Sequence, residues 1–240
     1  RVTNGKPCYT DWHWKRLAHS AEALSIPFDL SFAEWEVHLM EQIKRDNLYN
    51  GGIKAILSGG SAPRGLAEQG QISQLMLQTF NYTVRNHPVL LLSATWLREG
   101  ANPVYQFKSV NYLEAILARR IALASGADDA LFFNTQGHAT ETTCANLFIL
   151  KNRELLTPPL SDGVLPGITR SRIRGFCDQG AYGFREQSIT QSLLAEADAV
   201  FITNSLQGIR MVQSLDDTIF NCDHSGMEPL LSAHEFYYTK

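Results

Sequence analysis

The sequence predicts an α/β (α+β) protein in two lobes, and three observations carry that prediction. Helical periods and short apolar runs of strand length alternate along the whole chain. Glycine and proline punctuate those segments without gathering into a long linker or a low-complexity tract, and no internal repeat is visible. The 240 residues, 44% hydrophobic and 19% charged, are enough chain for one large or two small domains.

The elements follow in order. Asn4-Gly5 reads as a turn dipeptide after a strand end. Asp11 is placed to cap a helix in which Trp14, Leu17, Ala21 and Leu24 share one face, and Pro27 ends it. Ser31 and Glu34 form a capping-box pair before a second helix with Trp35, Leu39 and Ile43 on its apolar face. Strands are expected over 53–57, 71–82 and 89–94, with the turn-rich loop Ser58 to Gly65 after the first. Residues 98–107 read as a connection between a small N-terminal α/β domain (1–97) and a larger C-terminal one (108–240). The second part opens with a helix whose buried stripe is expected to be Leu113, Ile116, Leu117 and Ile121, stopped at Gly126. Then come a strand over 130–133, a hairpin turn at Asn134–Gly137, a returning strand over 138–150 with an irregular middle, and a short strand over 154–157. A helix from Ile168 to Asp178, a strand near Phe184, a short helix after Thr190, a strand over 199–203 and a last helix over 228–237 complete the reading.

Bulk properties exclude several classes. A net charge of −3, with pI near 6.2 and no Lys/Arg run, leaves no basic face for nucleic acid. No apolar run approaches the ~20 residues that span a bilayer, and the first seven residues lack a signal-peptide pattern. Cys8, Cys144, Cys177 and Cys222 form no CxxC and no ligand-like set with histidine. Reduced thiols in the cytoplasm, and no metal, are the expectation.

Four places can carry chemistry. The stretch from Thr157 to Thr169 ends in Leu165-Pro166-Gly167-Ile168-Thr169, a turn that leads into a helix. The unpaired first N–H groups of a helix and its dipole suit an anion, above all a phosphate, although Pro-Gly also serves as a plain helix start. Lys108, between Phe107 and Val110, is either a lysine snorkelling at a helix start or a desolvated amine nucleophile. Glu141, just ahead of an apolar strand, is either a surface acid or a carboxylate that can hold a heterocyclic nitrogen protonated. Arg16 on the first helix, and Asn204 with Ser205 at the end of an apolar strand, can face a ligand or simply water.

Together these motifs resemble those of the fold type IV pyridoxal-phosphate enzymes, the class IV aminotransferase family, over nearly the whole chain. The resemblance rests on His13-x-x-Arg16-Leu17 with Ser20-Ala21, Lys108-x-x-Asn111-Tyr112-Leu113, Thr140-Glu141 followed by Asn146-Leu147-Phe148, and Leu165-Pro166-Gly167-Ile168-Thr169-Arg170. It implies a D-amino acid aminotransferase-like fold, pyridoxal 5′-phosphate as cofactor, and a homodimer. It implies Lys108 as the Schiff-base lysine and proton shuttle, and Glu141 as the partner of the ring nitrogen. Arg16, Gly167, Ile168, Thr169, Asn204 and Ser205 become the phosphate cup. The family also has a strand and turn ahead of the position matched by Arg1, so that wall of the site is expected to lie outside this sequence.

Three activities share the scaffold: branched-chain transamination, D-amino acid transamination and 4-amino-4-deoxychorismate lysis. Branched-chain enzymes typically carry one more residue between the lysine and Asn-Tyr, and a Glu-Gly-x-x-Glu-Asn signature; this chain has Glu141-Thr-Thr-Cys-Ala-Asn146. D-amino acid enzymes carry Arg-x-His, where this chain has Arg64-Gly65-Leu66. The lyases are the most similar, through Ser58-Gly-Gly…Arg64-Gly65 and Asn204-Ser-Leu-Gln-Gly-Ile209, while the Leu165 to Arg170 run is frequent in transaminases. Arg64 and Arg210 are the candidates for substrate carboxylates.

Overall fold

The computed structural model describes residues 1–238 and divides into two compact units, 1–84 and 85–237. In the first unit, β1 (Val2–Thr3) and β2 (Lys6–Pro7) form a hairpin turned by Asn4 and Gly5, both at positive φ. Two helices follow, α1 (Thr10–Ala23) and α2 (Phe32–Arg45), and then an antiparallel pair, β3 (Gly52–Ser58) and β4 (Gln74–Phe80). The cap of α1 is Tyr9, in the left-handed conformation, not Asp11. Asp11 instead lies in the first turn, where its charge favours the positive helix end. The capping box of Ser31 and Glu34 is present at α2, and Trp35, Leu39 and Ile43 are buried.

The second unit is built on a mixed sheet. Its strands are β5 (Val89–Arg98), β6 (Asp129–Asn134), β7 (Ala139–Thr142), β8 (Asn146–Lys151), β9 (Glu154–Thr157), β10 (Gly183–Glu186), β11 (Ala199–Asn204), β12 (Gly208–Leu215) and β13 (Thr218–Ile219). The order is β10-β9-β8-β11-β12-β5-β6-β7, and β7 pairs back onto β8. Six strands therefore close into a barrel, filled by Leu131, Leu147, Ile149, Val200, Val212 and their neighbours. Around it lie α3 (Leu113–Ala124), α4 (Ile168–Cys177), α5 (Gln191–Ala195) and α6 (Glu228–Tyr238). Among the described residues no helix is long and apolar enough to cross a membrane.

Two expectations are corrected here. The division falls before β5, not at 98–107, because β5 lies between β12 and β6, parallel to both, and belongs to the barrel. The buried face of α3 is also reversed. Ala118 and Ala122 pack on Ala130 and Phe132, where their small size admits close approach, while Leu113, Ile116, Leu117 and Ile121 are exposed. Helical period identifies an apolar stripe but not the surface it meets.

Candidate active site

The barrel closes at one residue pair, Glu141 opposite Asn146. The turn between them is shaped by Thr142, whose hydroxyl accepts from the Ala145 N–H at 3.1 Å. That turn is the irregular middle expected from the sequence. Glu141 ahead of it is largely buried, its side chain 14% exposed. Glu141 Oε2 accepts from the Leu165 N–H at 3.0 Å and from Asn146 Nδ2 at 3.2 Å, while Oε1 lies 3.4 Å from Arg98 Nη1. Burial pushes the carboxyl up to about 7, against the opposing pull of the Leu165 N–H, Arg98 and Lys108.

Lys108 is therefore close enough to act on Glu141 electrostatically. It stands between a 3-10 turn (Pro103–Gln106) and α3, and Nζ donates to the Tyr112 hydroxyl at 2.8 Å. Lys108 is exposed, so the desolvation expected from its flanks is not present; Val110 is exposed as well. The Tyr112 contact, four residues on, was visible in the sequence only as motif spacing.

Asn146 joins Glu141 to the start of α4. Its Nδ2 also donates to the Leu165 carbonyl at 2.9 Å. Gly167 is the cap residue of α4, with no side-chain cap, and a Cβ built there would fall 1.9 Å from Asn146 Oδ1. Only glycine fits without displacing the amide. Ile168 and Thr169 supply the first turn, and Arg170 anchors it from behind, with Nη2 donating to the Pro158 carbonyl at 3.0 Å and pairing with Glu186 at 3.1 Å.

Across β8, Asn146 opposes Thr203, a buried residue whose hydroxyl has no hydrogen-bond partner among the described residues. Just beyond it, Asn204 Oδ1 accepts from the N–H groups of Leu206 and Gln207, shaping the β11–β12 turn with the half-buried Ser205 in it. A buried carboxyl pushed up to about 7, a helix start with no side-chain cap and an unpartnered hydroxyl thus border Asn146, and the Lys108 amine acts on Glu141 through its charge. This donor set suits a heteroaromatic cation that carries an anionic arm.

Three candidates remain, Arg210 in the second unit and Arg16 and Arg64 in the first. Arg210, on β12, donates from Nη2 to the His87 carbonyl at 3.1 Å, so part of its guanidinium braces the backbone. Arg16 on α1 and the exposed Arg64 belong to the first unit. The site residues that the sequence reading missed are Arg98 and Glu114. Arg98 is 6% exposed and Glu114 binds it at 2.9 Å. A buried arginine at a strand end has no periodic signature, and Glu114 reads simply as the polar side of α3.

The chain is similar to known proteins over most of its length. The family model for amino-transferase class IV matches residues 1–215. A structure from Legionella pneumophila, provisionally assigned as a 4-amino-4-deoxychorismate lyase, is 57% identical with a TM-score of 0.97, covering 99% of this chain and 88% of that one. The D-alanine aminotransferase of Bacillus licheniformis is 28% identical over 224 residues, 90% of this chain and 77% of that protein. The aminodeoxychorismate lyase of Vibrio harveyi is 27% identical over 213 residues, 85% of this chain and 78% of that protein.

Proposed function

The chain belongs to the class IV amino-transferase family, and from that premise we propose that it is a pyridoxal 5′-phosphate enzyme converting 4-amino-4-deoxychorismate to p-aminobenzoate and pyruvate. The observation that carries the substrate is the 57% identity, over 99% of the chain, to the Legionella protein. A transaminase acting on branched-chain or D-amino acids is the second reading, favoured by the similarity to the D-alanine aminotransferase.

The cofactor, when bound, supplies an electron sink for the pair released at the carbon next to the substrate nitrogen. Lys108 would offer the amine that holds the cofactor and, once the substrate amine has displaced it, would remove the proton from that carbon, with Tyr112 orienting its Nζ. Glu141 would partner the ring nitrogen, and a carboxyl pushed up to about 7 by burial is matched to share a proton there at physiological pH. The first N–H groups of α4 at Gly167, Ile168 and Thr169 would take the phosphate, Asn204 and Ser205 would bind it too, and Arg16 is assigned to it by its motif alone. Arg64 and Arg210 take substrate carboxylates. Loss of pyruvate leaves an aromatic ring, so the step is strongly downhill and the protein has chiefly to place a base.

The active form is a homodimer, and the exposed stripe of α3 is the surface offered to the second copy. Four free cysteines support a reducing compartment, the cytoplasm. The test uses the full chain loaded with pyridoxal 5′-phosphate, given 4-amino-4-deoxychorismate, with p-aminobenzoate release followed by fluorescence. Rapid release that vanishes in Lys108→Ala supports the lyase. A protein that holds the cofactor but releases nothing, and passes amino groups to a keto acid, is the transaminase instead.

A further inference from the structure

We propose that Arg98 is a positioning residue of this site: its guanidinium is shared between Glu114 and Glu141, and so ties the segment carrying Lys108 to the strand carrying Glu141. This rests on the reading of Glu141 as the partner of the ring nitrogen.

The geometry is specific. Arg98 ends β5, 6% exposed. Nε and Nη2 both donate to Glu114 Oε2, at 3.0 and 2.9 Å, while Nη1 reaches Glu141 Oε1 at 3.4 Å. The guanidinium carbon sits 3.4 Å from the ring centroid of Phe132 and 4.7 Å from that of Tyr105, so the plane is clamped by two rings. Glu114 is fixed in turn, its Oε1 accepting from Trp96 Nε1 at 3.1 Å. It is the second residue of α3, and Tyr112 and Lys108 lie immediately before that helix. One buried cation therefore joins β7, which carries Glu141, to the start of α3, the helix that the Lys108–Tyr112 segment leads into.

The sharing is unequal, and the inequality has a consequence for charge. Glu114 holds Arg98 by two short bonds and Glu141 by one long one. Glu141 is thus only partly compensated. The other groups that act on it are the Lys108 ammonium, the Tyr105 hydroxyl, the Asn146 amide and the Leu165 N–H. Arg98 acts through Glu141 and need not touch a substrate.

The test is a carbon-13 titration of the Glu141 carboxyl in the full chain, assigned with Glu141→Gln, before and after adding pyridoxal 5′-phosphate. Arg98→Met should raise the Glu141 proton affinity about tenfold or more, and Arg98→Lys should restore part of it. Glu114→Gln should act in the opposite direction, because a released guanidinium turns to Glu141. A simply structural arginine predicts no such opposed pair. If Arg98→Met does not fold, Arg98→Lys and Glu114→Gln carry the test. An unchanged Glu141 titration in the variants overturns the proposal. Shifts in the variants, with no response of Glu141 to the cofactor, would keep Arg98 as positioning residue and remove the ring-nitrogen role instead.

Discussion

Asn146 Nδ2 donates both to Glu141 Oε2 at 3.2 Å and to the Leu165 carbonyl at 2.9 Å, so one amide joins the seam that closes the barrel to the loop that starts α4. The carboxyl and the helix start are held in register by the same side chain. Asn146→Ala should leave the Leu165 carbonyl without this donor and Glu141 Oε2 with only the Leu165 N–H, at a cost of about 2 kcal/mol. Calorimetry should show the melting temperature lowered by roughly 4–8 °C, with cofactor affinity reduced alongside. A variant that melts with the parent would mean the amide bonds add nothing net.

Gly167 tests the close approach directly. Its missing Cβ leaves the space that Asn146 Oδ1 occupies, 1.9 Å from where the carbon would stand. Gly167→Ala should move the amide, tilt the first turn of α4 and weaken cofactor binding about tenfold, on the order of 1.4 kcal/mol. Gly175, in the same helix with nothing near its absent Cβ, is the control. Gly175→Ala should stabilise the protein by about 0.5–1 kcal/mol and leave binding unchanged. Spectroscopic titration with pyridoxal 5′-phosphate separates the two.

The two substitutions also mark what the sequence made legible. Lys108, Glu141 and the Pro166-Gly167 turn were readable because a reactive group is a residue type, and a helix start has punctuation. The interleaving of strands and helices was readable from period alone. What was hidden depends on the partner rather than the residue. Arg98 looked like the start of a connection because nothing local reveals that β5 runs between β12 and β6. The alanines of α3 drew no notice beside its large apolar residues, although they are the face that meets the barrel. Strand β12 was missed altogether; its Gly208-Ile-Arg-Met-Val-Gln-Ser-Leu215 alternates too weakly to stand out.

Glu141 gives the cofactor-free protein a defined pH dependence. Its carboxyl titrates near 7 in the fold, against an ordinary value of 4.5, because burial favours the neutral form. A raised acid stabilises the fold while it stays protonated. The contribution is complete below about pH 4.5 and is lost as pH rises through about 7, up to roughly 3 kcal/mol at the limit. Denaturant midpoints measured from pH 5 to 8 should fall along that window, and Glu141→Gln, which stays neutral, should flatten the fall. A parent profile identical to that of the glutamine variant would place the titrating group elsewhere.

The outer face of α3 offers the last test. Leu113, Ile116, Leu117 and Ile121 are 65%, 45%, 44% and 39% exposed, at helical spacings of three, one and four. Single exposed leucines are ordinary, but a continuous stripe of four on one helix is surface that water solvates poorly. The inner face needs none of them, since Ala118 and Ala122 already seat the helix on β6. Charging the stripe should therefore act on assembly and not on folding. Leu117→Glu should halve the mass seen by sedimentation while far-UV circular dichroism and melting of the subunit hold near the parent. A variant that stays dimeric would assign the subunit contact to another face, and a parent that sediments as a monomer would overturn the homodimer itself.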